Sequence, residues 1–226
     1  MIAEESFLKI AGIIGEPNRA GILWALLDGR SYTAGELALT TGMSVSGASN
    51  HLSKLLEYDL IKVESQGRHR YFSFSRPEVA YAIESLANLL ERPAKRTSSQ
   101  TANGVKFCRS CYDHLAGYVG VKLTEAFEDN LLIMKNGAAY SVTPEGWNWL
   151  SGLNINEREF MDIRRPLTRQ CLDWSERRPH LAGKLGAVLL EKMLEKNWFK
   201  RIQFSRELLV TSKGKQEIYN RLGIAI

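Results

Sequence analysis

TAGELALTTGMSVSGASNHLSKLLEYDLIKVESQGRHRYF, Thr33 to Phe72, carries the signals that decide the fold. Thr33 is placed to cap a helix from Ala34 to about Thr40, with Glu36 at the third helical position as in a capping box. Gly42 ends that helix and turns the chain. Ser44 then caps a second helix in which Ala48, Leu52, Leu55 and Leu56 share one face until about Tyr58. Two short helices joined by a glycine turn form a helix-turn-helix. Behind them Leu60, Ile61 and Val63 make an apolar run, Gln66-Gly67-Arg68-His69 a turn, and Tyr71 to Phe74 a second strand. The product is a hairpin with a basic tip, the wing of a winged helix-turn-helix.

Outward from this stretch the pattern is helical. Phe7 to Ile14 has helical apolar spacing, Gly15 to Asn18 breaks it, and Pro17 opens a helix through Ile22, Leu23 and Leu27. On the far side Pro77 opens a helix from Glu78 to Leu90, striped by Val79, Ile83, Leu86, Leu89 and Leu90. Residues 1–92 therefore form one domain, 93–104 a small, polar linker, and 105–226 a second region.

Composition narrows the function. The chain has 226 residues, 44% hydrophobic, enough for real cores. No apolar run approaches the roughly 18 residues of a membrane span, and Glu4 and Glu5 stand where a signal peptide would be basic, so a cytoplasmic location without membrane contact is expected. Three cysteines give no disulfide framework. The net charge is +5, yet residues 1–92 carry 9 Lys and Arg against 11 Asp and Glu. Phosphate contact in the first domain must then come from a local cluster, which lies between Lys54 and Arg76.

The helix after the turn offers Ser44, Val45, Ser46, Ser49, Asn50 and His51 at its start and Lys54 one turn later. Hydroxyls permit close approach, Asn pairs bidentately with adenine, and Lys neutralises phosphate. Arg68, His69 and Arg70 at the wing tip suit the backbone or an adjoining minor groove. Taken singly these are a cap, a solvated helix face and an exposed turn. Their order and spacing point to double-stranded DNA.

Four stretches carry a family resemblance: Gly15-Glu16-Pro17-Asn18-Arg19, Thr33 to Ala38, Met43 to Leu52, and Gly67 to Phe72. Over residues 5–90 the chain resembles the ArsR family of winged-helix repressors. The resemblance implies a homodimer on a palindromic operator, usually repressing, released by an effector. It also implies a two-fold interface built from the first and last helices, through Phe7, Ile10, Ile14, Val79, Ile83, Leu86 and Leu90; the same stripes also suit an intramolecular core. The familiar metal sites of that family do not form here. Glu36 to Thr40 lacks cysteine, and Pro77 to Leu90 lacks histidine.

The second region contains an internal echo. Cys111-Tyr112-Asp113 with His114-Leu115-Ala116-Gly117 and Gly120 returns as Cys171-Leu172-Asp173 with His180-Leu181-Ala182-Gly183 and Gly186. Val142-Thr143-Pro144-Glu145-Gly146 returns as Val210-Thr211-Ser212-Lys213-Gly214. Two repeats, about 105–155 and 165–226, each read as helix, hairpin, helix, so the fold class is mainly α with small β-hairpins and a duplicated winged-helix-like region. Cys108, Cys111, His114, Cys171 and His180 have thiolate and imidazole chemistry. A Zn site, a thiol redox pair and plain burial are all open, with Cys111 and His114 spaced to share a helix face and both histidines at helix starts. No cofactor is required by the sequence. Trp147, Trp149, Trp174 and Trp198, with Phe107, Tyr112, Phe160 and Phe199, could wall an organic effector pocket or fill a core.

The expected function is sequence-specific operator binding by the first domain under control of the second, through a metal or small-molecule effector. The competing reading is a winged-helix protein-interaction module. An enzyme is not expected, since no orienting residue or oxyanion-hole motif accompanies the cysteines.

Overall fold

The computed structural model describes residues 2–89, 104–161 and 165–226. The chain forms two compact units, Met1–Ala87 and Asn88–Ile226. The expected linker therefore falls outside the described residues except for Gly104, as does Leu90 of the expected interface.

In the first unit α1 (Ile2–Ile14) is followed by α2 (Pro17–Ala25). Glu16 caps α2 by accepting from the backbone N–H groups of Asn18 and Arg19. A 3-10 turn, Leu26–Asp28, buries Leu26 and Leu27 and delivers Asp28 to the interior, where it accepts from Arg30 and the Tyr32 hydroxyl. Tyr32 pairs its backbone with Phe72 and so ties this loop to the wing. Helix α3 (Ala34–Thr41) has its capping box formed, with Thr33 and Glu36 satisfying each other's backbone N–H groups. Gly42 ends it at φ 71°, and Ser44 caps α4 (Val45–Glu57) by accepting from Gly47 N. Leu37, Ala38, Ala48, Leu52 and Leu55 meet Ile22 and Leu23 in the core.

The wing is β1 (Ile61–Gln66) antiparallel to β2 (His69–Phe74), in a register that pairs Ile61 with Phe74 and Gln66 with His69. That register leaves Gly67-Arg68 as a two-residue turn, and Gly67 takes φ 59°. Helix α5 (Pro77–Leu86) ends sooner than its stripe suggests, because its last turn tightens into a 3-10 segment, Ala87–Leu89. Val79 and Ile83 are taken into this chain's own core at 6% and 5% exposure. Among the described residues, the large apolar side chains left exposed on α1 and α5 are Phe7, Leu8, Ile10 and Leu86.

The second unit departs from the expected helix, hairpin, helix. A further hairpin precedes each helix: β3 (Arg109–Cys111), β4 (His114–Ala116), α6 (Gly117–Asp129), β5 (Ile133–Asn136), β6 (Ala139–Val142), α7 (Pro144–Ser151). The same order follows in β7 (Arg169–Leu172), β8 (Pro179–Ala182), α8 (Gly183–Glu195), β9 (Phe199–Arg201), β10 (Leu208–Val210), α9 (Ser212–Leu222). Cys111 and His114 are accordingly not neighbours on a helix face. They are cross-strand partners in a tight hairpin whose turn holds Tyr112 at φ 57°, and His180 likewise lies on a strand. Strands this short carry no readable alternation, so the i, i+3 spacing mimicked a helix.

Helix α6 packs chiefly on β8 and helix α8 chiefly on β4, so each half covers the other's hairpin. Leu181 N donates to Thr124 Oγ1 across this crossing at 2.9 Å. One joint occurs three times among the described residues. After α4, α6 and α8 a residue with positive φ turns the chain into a wing: Asp59, Leu131 and Asn197. In each case a hydroxyl donates to that residue's carbonyl, from Ser75 at 2.5 Å, Thr143 at 2.7 Å and Thr211 at 2.7 Å. Gly146 and Gly214 follow because a Cβ there would stand 2.0 Å from Leu132 O and 2.1 Å from Trp198 O. The Thr-x-x-Gly echo thus encodes a cap and a close approach.

The aromatic residues of the second unit mostly fill its core. Trp198, Phe199 and Phe160 are buried, and Phe107, Trp147 and Trp149 pack against the same cluster. Trp174 lies instead under the Arg109 guanidinium, 4.5 Å from it.

Candidate nucleic-acid interface and candidate metal centre

Helix α4 buries Ala48, Leu52 and Leu55, which turns Ser46, Ser49, Asn50, Ser53 and Lys54 outward. Ser49 Oγ donates to Val45 O and Ser53 Oγ to Ser49 O, both at 2.9 Å, so these hydroxyls lie close against the helix. A groove of about 360 Å³ runs beside this helix. The start of α3 (Thr33, Ala34, Gly35), the flank of α4 (Ser49, Ser53, Leu56) and the wing (Arg68, His69, Arg70) line it together. The wing tip therefore faces the same concavity as the second helix. Of the expected contact residues, Ser49, Arg68, His69 and Arg70 line the groove. Ser44, Val45, Ser46, Asn50 and Lys54 are exposed on α4 and its cap, outside the groove's lining.

Further local partners hold several of these side chains. Lys54 pairs with Glu57 at 2.7 Å, and the Arg70 guanidinium sits over Phe72, 5.6 Å from the ring centre. His51 is half-buried, with Nδ1 3.3 Å from Glu16 Oε2, so it braces α4 against the start of α2. Thr33, Gly35 and Ser53 join the groove without having been expected there. Their signal was only that capping residues and outward helix positions gather at one end of the motif.

In the second unit the hairpins bring Cys111, His114, Cys171 and His180 together, with all four ligand atoms within 4.8 Å of one another. Cys111 Sγ lies 3.9 Å from Cys171 Sγ, and His114 Nε2 lies 3.1 Å from His180 Nε2. The group is buried. Cys108 is not among them. It packs in the apolar core, where burial pushes its thiol pKa up.

Two carboxylates back the imidazoles. Asp113 Oδ1 is 3.3 Å from His114 Nδ1, and Asp173 Oδ2 is 3.6 Å from His180 Nδ1. Arg165 grips Asp113 through both carboxylate oxygens at 2.5 and 3.1 Å. Arg109, fully buried, reaches Asp173 at 2.8 Å, and Asp173 also accepts from Gly117 N at 2.7 Å. Burial opposes ionisation of both carboxyls, but His114 and Arg165 hold Asp113 below its usual range and the Arg109 charge holds Asp173 far below it. Contact with Cys111 Sγ, and then with both histidines, outweighs burial and lowers the Cys171 thiol. The sequence signal for the carboxylates was the Cys-x-Asp common to both echoes.

Comparison with known proteins gives one matching family, described as a helix-turn-helix domain, over residues 14–64. The protein named "Uncharacterized HTH-type transcriptional regulator YdfF" of Bacillus subtilis (strain 168) is 40% identical over 220 residues, covering 96% of this chain and 97% of that one. The HTH-type transcriptional regulator CmtR of Mycobacterium tuberculosis (strain ATCC 25618 / H37Rv) is 32% identical over 87 residues, 38% of this chain and 73% of that one. Among solved structures, reduced HlyU from Vibrio cholerae N16961 aligns with TM-score 0.37 at 26% identity, covering 40% of this chain and 94% of that one. No described helix is long and apolar enough to cross a membrane.

Proposed function

We propose, from the premise that this chain belongs to the ArsR family of helix-turn-helix transcriptional regulators, that its first unit reads a palindromic operator as a homodimer and represses transcription. Helix α4 enters the major groove with Ser46, Ser49 and Asn50 toward base edges, and Arg68 and Arg70 follow the backbone. The observation that carries this reading is the shared groove, in which the flank of α4 and the basic wing tip line one concavity. Phe7, Ile10 and Leu86, exposed on α1 and α5, supply the apolar contact between protomers. The second unit, two copies of one hairpin-helix-hairpin-helix module, is the regulatory part of a cytoplasmic protein. The repeated joint at Leu131 and Asn197 supports the duplication.

The test is a fluorescence-anisotropy titration of the upstream region of the protein's own gene against random duplex of equal length. Specific binding should exceed non-specific binding by at least about 10³-fold. Asn50→Ala should narrow that ratio by about 1–3 kcal/mol per half-site. Equal affinity for both duplexes would overturn the reading and favour a protein-interaction role.

A further inference from the structure

We propose that Cys111, His114, Cys171 and His180 hold one zinc ion in a closed tetrahedral site that staples the two halves of the second unit. Two edges of such a centre already have its dimensions, and all four ligand atoms lie within 4.8 Å of one another. With Zn–S near 2.3 Å and Zn–N near 2.0–2.1 Å, tetrahedral edges are about 3.8 Å between sulfurs and about 3.3–3.4 Å between nitrogens. The corresponding separations are 3.9 Å for Cys111 and Cys171 and 3.1 Å for His114 and His180. A disulfide would need the sulfurs at about 2.05 Å.

The imidazoles are arranged as metal ligands. His114 Nδ1 is within hydrogen-bond distance of Asp113, His180 Nδ1 stands 3.6 Å from Asp173 without a hydrogen bond, and the two Nε2 atoms face a common point. With the His114 Nδ1–H on Asp113, its Nε2 lone pair faces His180 Nε2 at 3.1 Å, and a cation between the two nitrogens would be coordinated by both. Carboxylate-backed histidine is the usual outer support of a metal ligand. Arg165 and Arg109 neutralise the two carboxylates, so the charge of the centre itself must balance. Zinc with two thiolates and two neutral imidazoles is neutral, the two thiol protons passing to solvent on binding. An S₂N₂ tetrahedron selects zinc over harder divalent ions. Four buried protein ligands leave no open position, which marks a structural centre. Each half supplies one Cys and one His from its first hairpin, so the ion cross-links strands 60 residues apart.

The experiment uses the full chain, purified reduced and without chelator. Elemental analysis should find about one zinc per chain. Protein stripped of metal and refolded with cobalt should show intense tetrahedral visible bands with thiolate charge transfer, which zinc abolishes. Cys108→Ser should keep full stoichiometry, Cys171→Ser and His180→Asn should lose it, and Asp113→Asn should weaken affinity about 10–100-fold. Metal-free wild type that takes up no cobalt after reduction, an octahedral cobalt spectrum, or undiminished binding by folded Cys171→Ser would each overturn the proposal. Should the ligand variants fail to fold, wild-type stoichiometry and the cobalt spectrum decide alone. None of these readouts involves DNA, so they stand apart from the operator reading.

Discussion

Replacing Arg68 and Arg70 together by alanine should flatten the salt dependence of operator binding. Both side chains are exposed at the wing tip and line the groove beside α4. If each meets one phosphate, a two-fold dimer loses four backbone contacts in the double variant. At about 0.9 per phosphate, the slope of log affinity against log salt flattens by about 3.6. Between about 50 and 200 mM salt, wild-type affinity then falls about 150-fold further than that of the variant. Anisotropy titrations of a labelled operator at five salt concentrations measure both slopes, with far-ultraviolet circular dichroism to verify the fold. A slope change near 1.8 would mean two phosphate contacts instead of four and would refute the premise that both arginines of each wing reach the backbone. Parallel lines for the two proteins would refute wing contact altogether.

Arg109→Met should destabilise the second unit by about 3–5 kcal/mol, because it leaves the buried Asp173 carboxylate without its cation; a loss below about 1 kcal/mol in urea denaturation contradicts the pairing. Phe7→Glu with Leu86→Glu, at positions 68% and 48% exposed in one chain, should yield a folded monomer in sedimentation equilibrium, and a persistent dimer would place the interface elsewhere. Glu16 accepts from Arg19 N at 2.9 Å and Asn18 N at 3.1 Å; burial works against its ionisation, but these bonds and the nearby His51 and Arg19 charges lower its pKa from 4.5. A depressed folded-state pKa means that its stabilisation is complete above 4.5 and is lost as pH falls through the folded value. The urea-midpoint gap between wild type and Glu16→Gln should therefore be widest near neutrality and close in acid, whereas a constant gap rules the cap out as its source.

The first unit was legible because its signals are local. Thr33 with Glu36, Gly42, Ser44 and Gly67 each specify a cap or turn within a few residues, and each stands in that role. The second unit hid its organisation because β3, β4, β9 and β10 are only three residues long. Periodicity needs more residues than that to declare itself. The cysteines and histidines were visible as an echo, but their convergence depends on pairing over some 60 residues, which no local pattern encodes. Arg165 and Arg109 escaped notice for the same reason, since their partners Asp113 and Asp173 lie 52 and 64 residues away. The burial of Val79 and Ile83 shows the remaining ambiguity: an apolar stripe states that a face is covered, not by which chain.

Because α6 lies on the later hairpin and α8 on the earlier one, neither half of the second unit has a complete interior of its own. Truncation after Phe160 would strip the α8 cover from β4 and remove β8 from α6, which would keep its contacts with β3, β4 and β5. The two halves should then fold cooperatively, paced by the closure of long loops. A break in either half should propagate to the other, and fragments expressed separately should regain structure only when mixed.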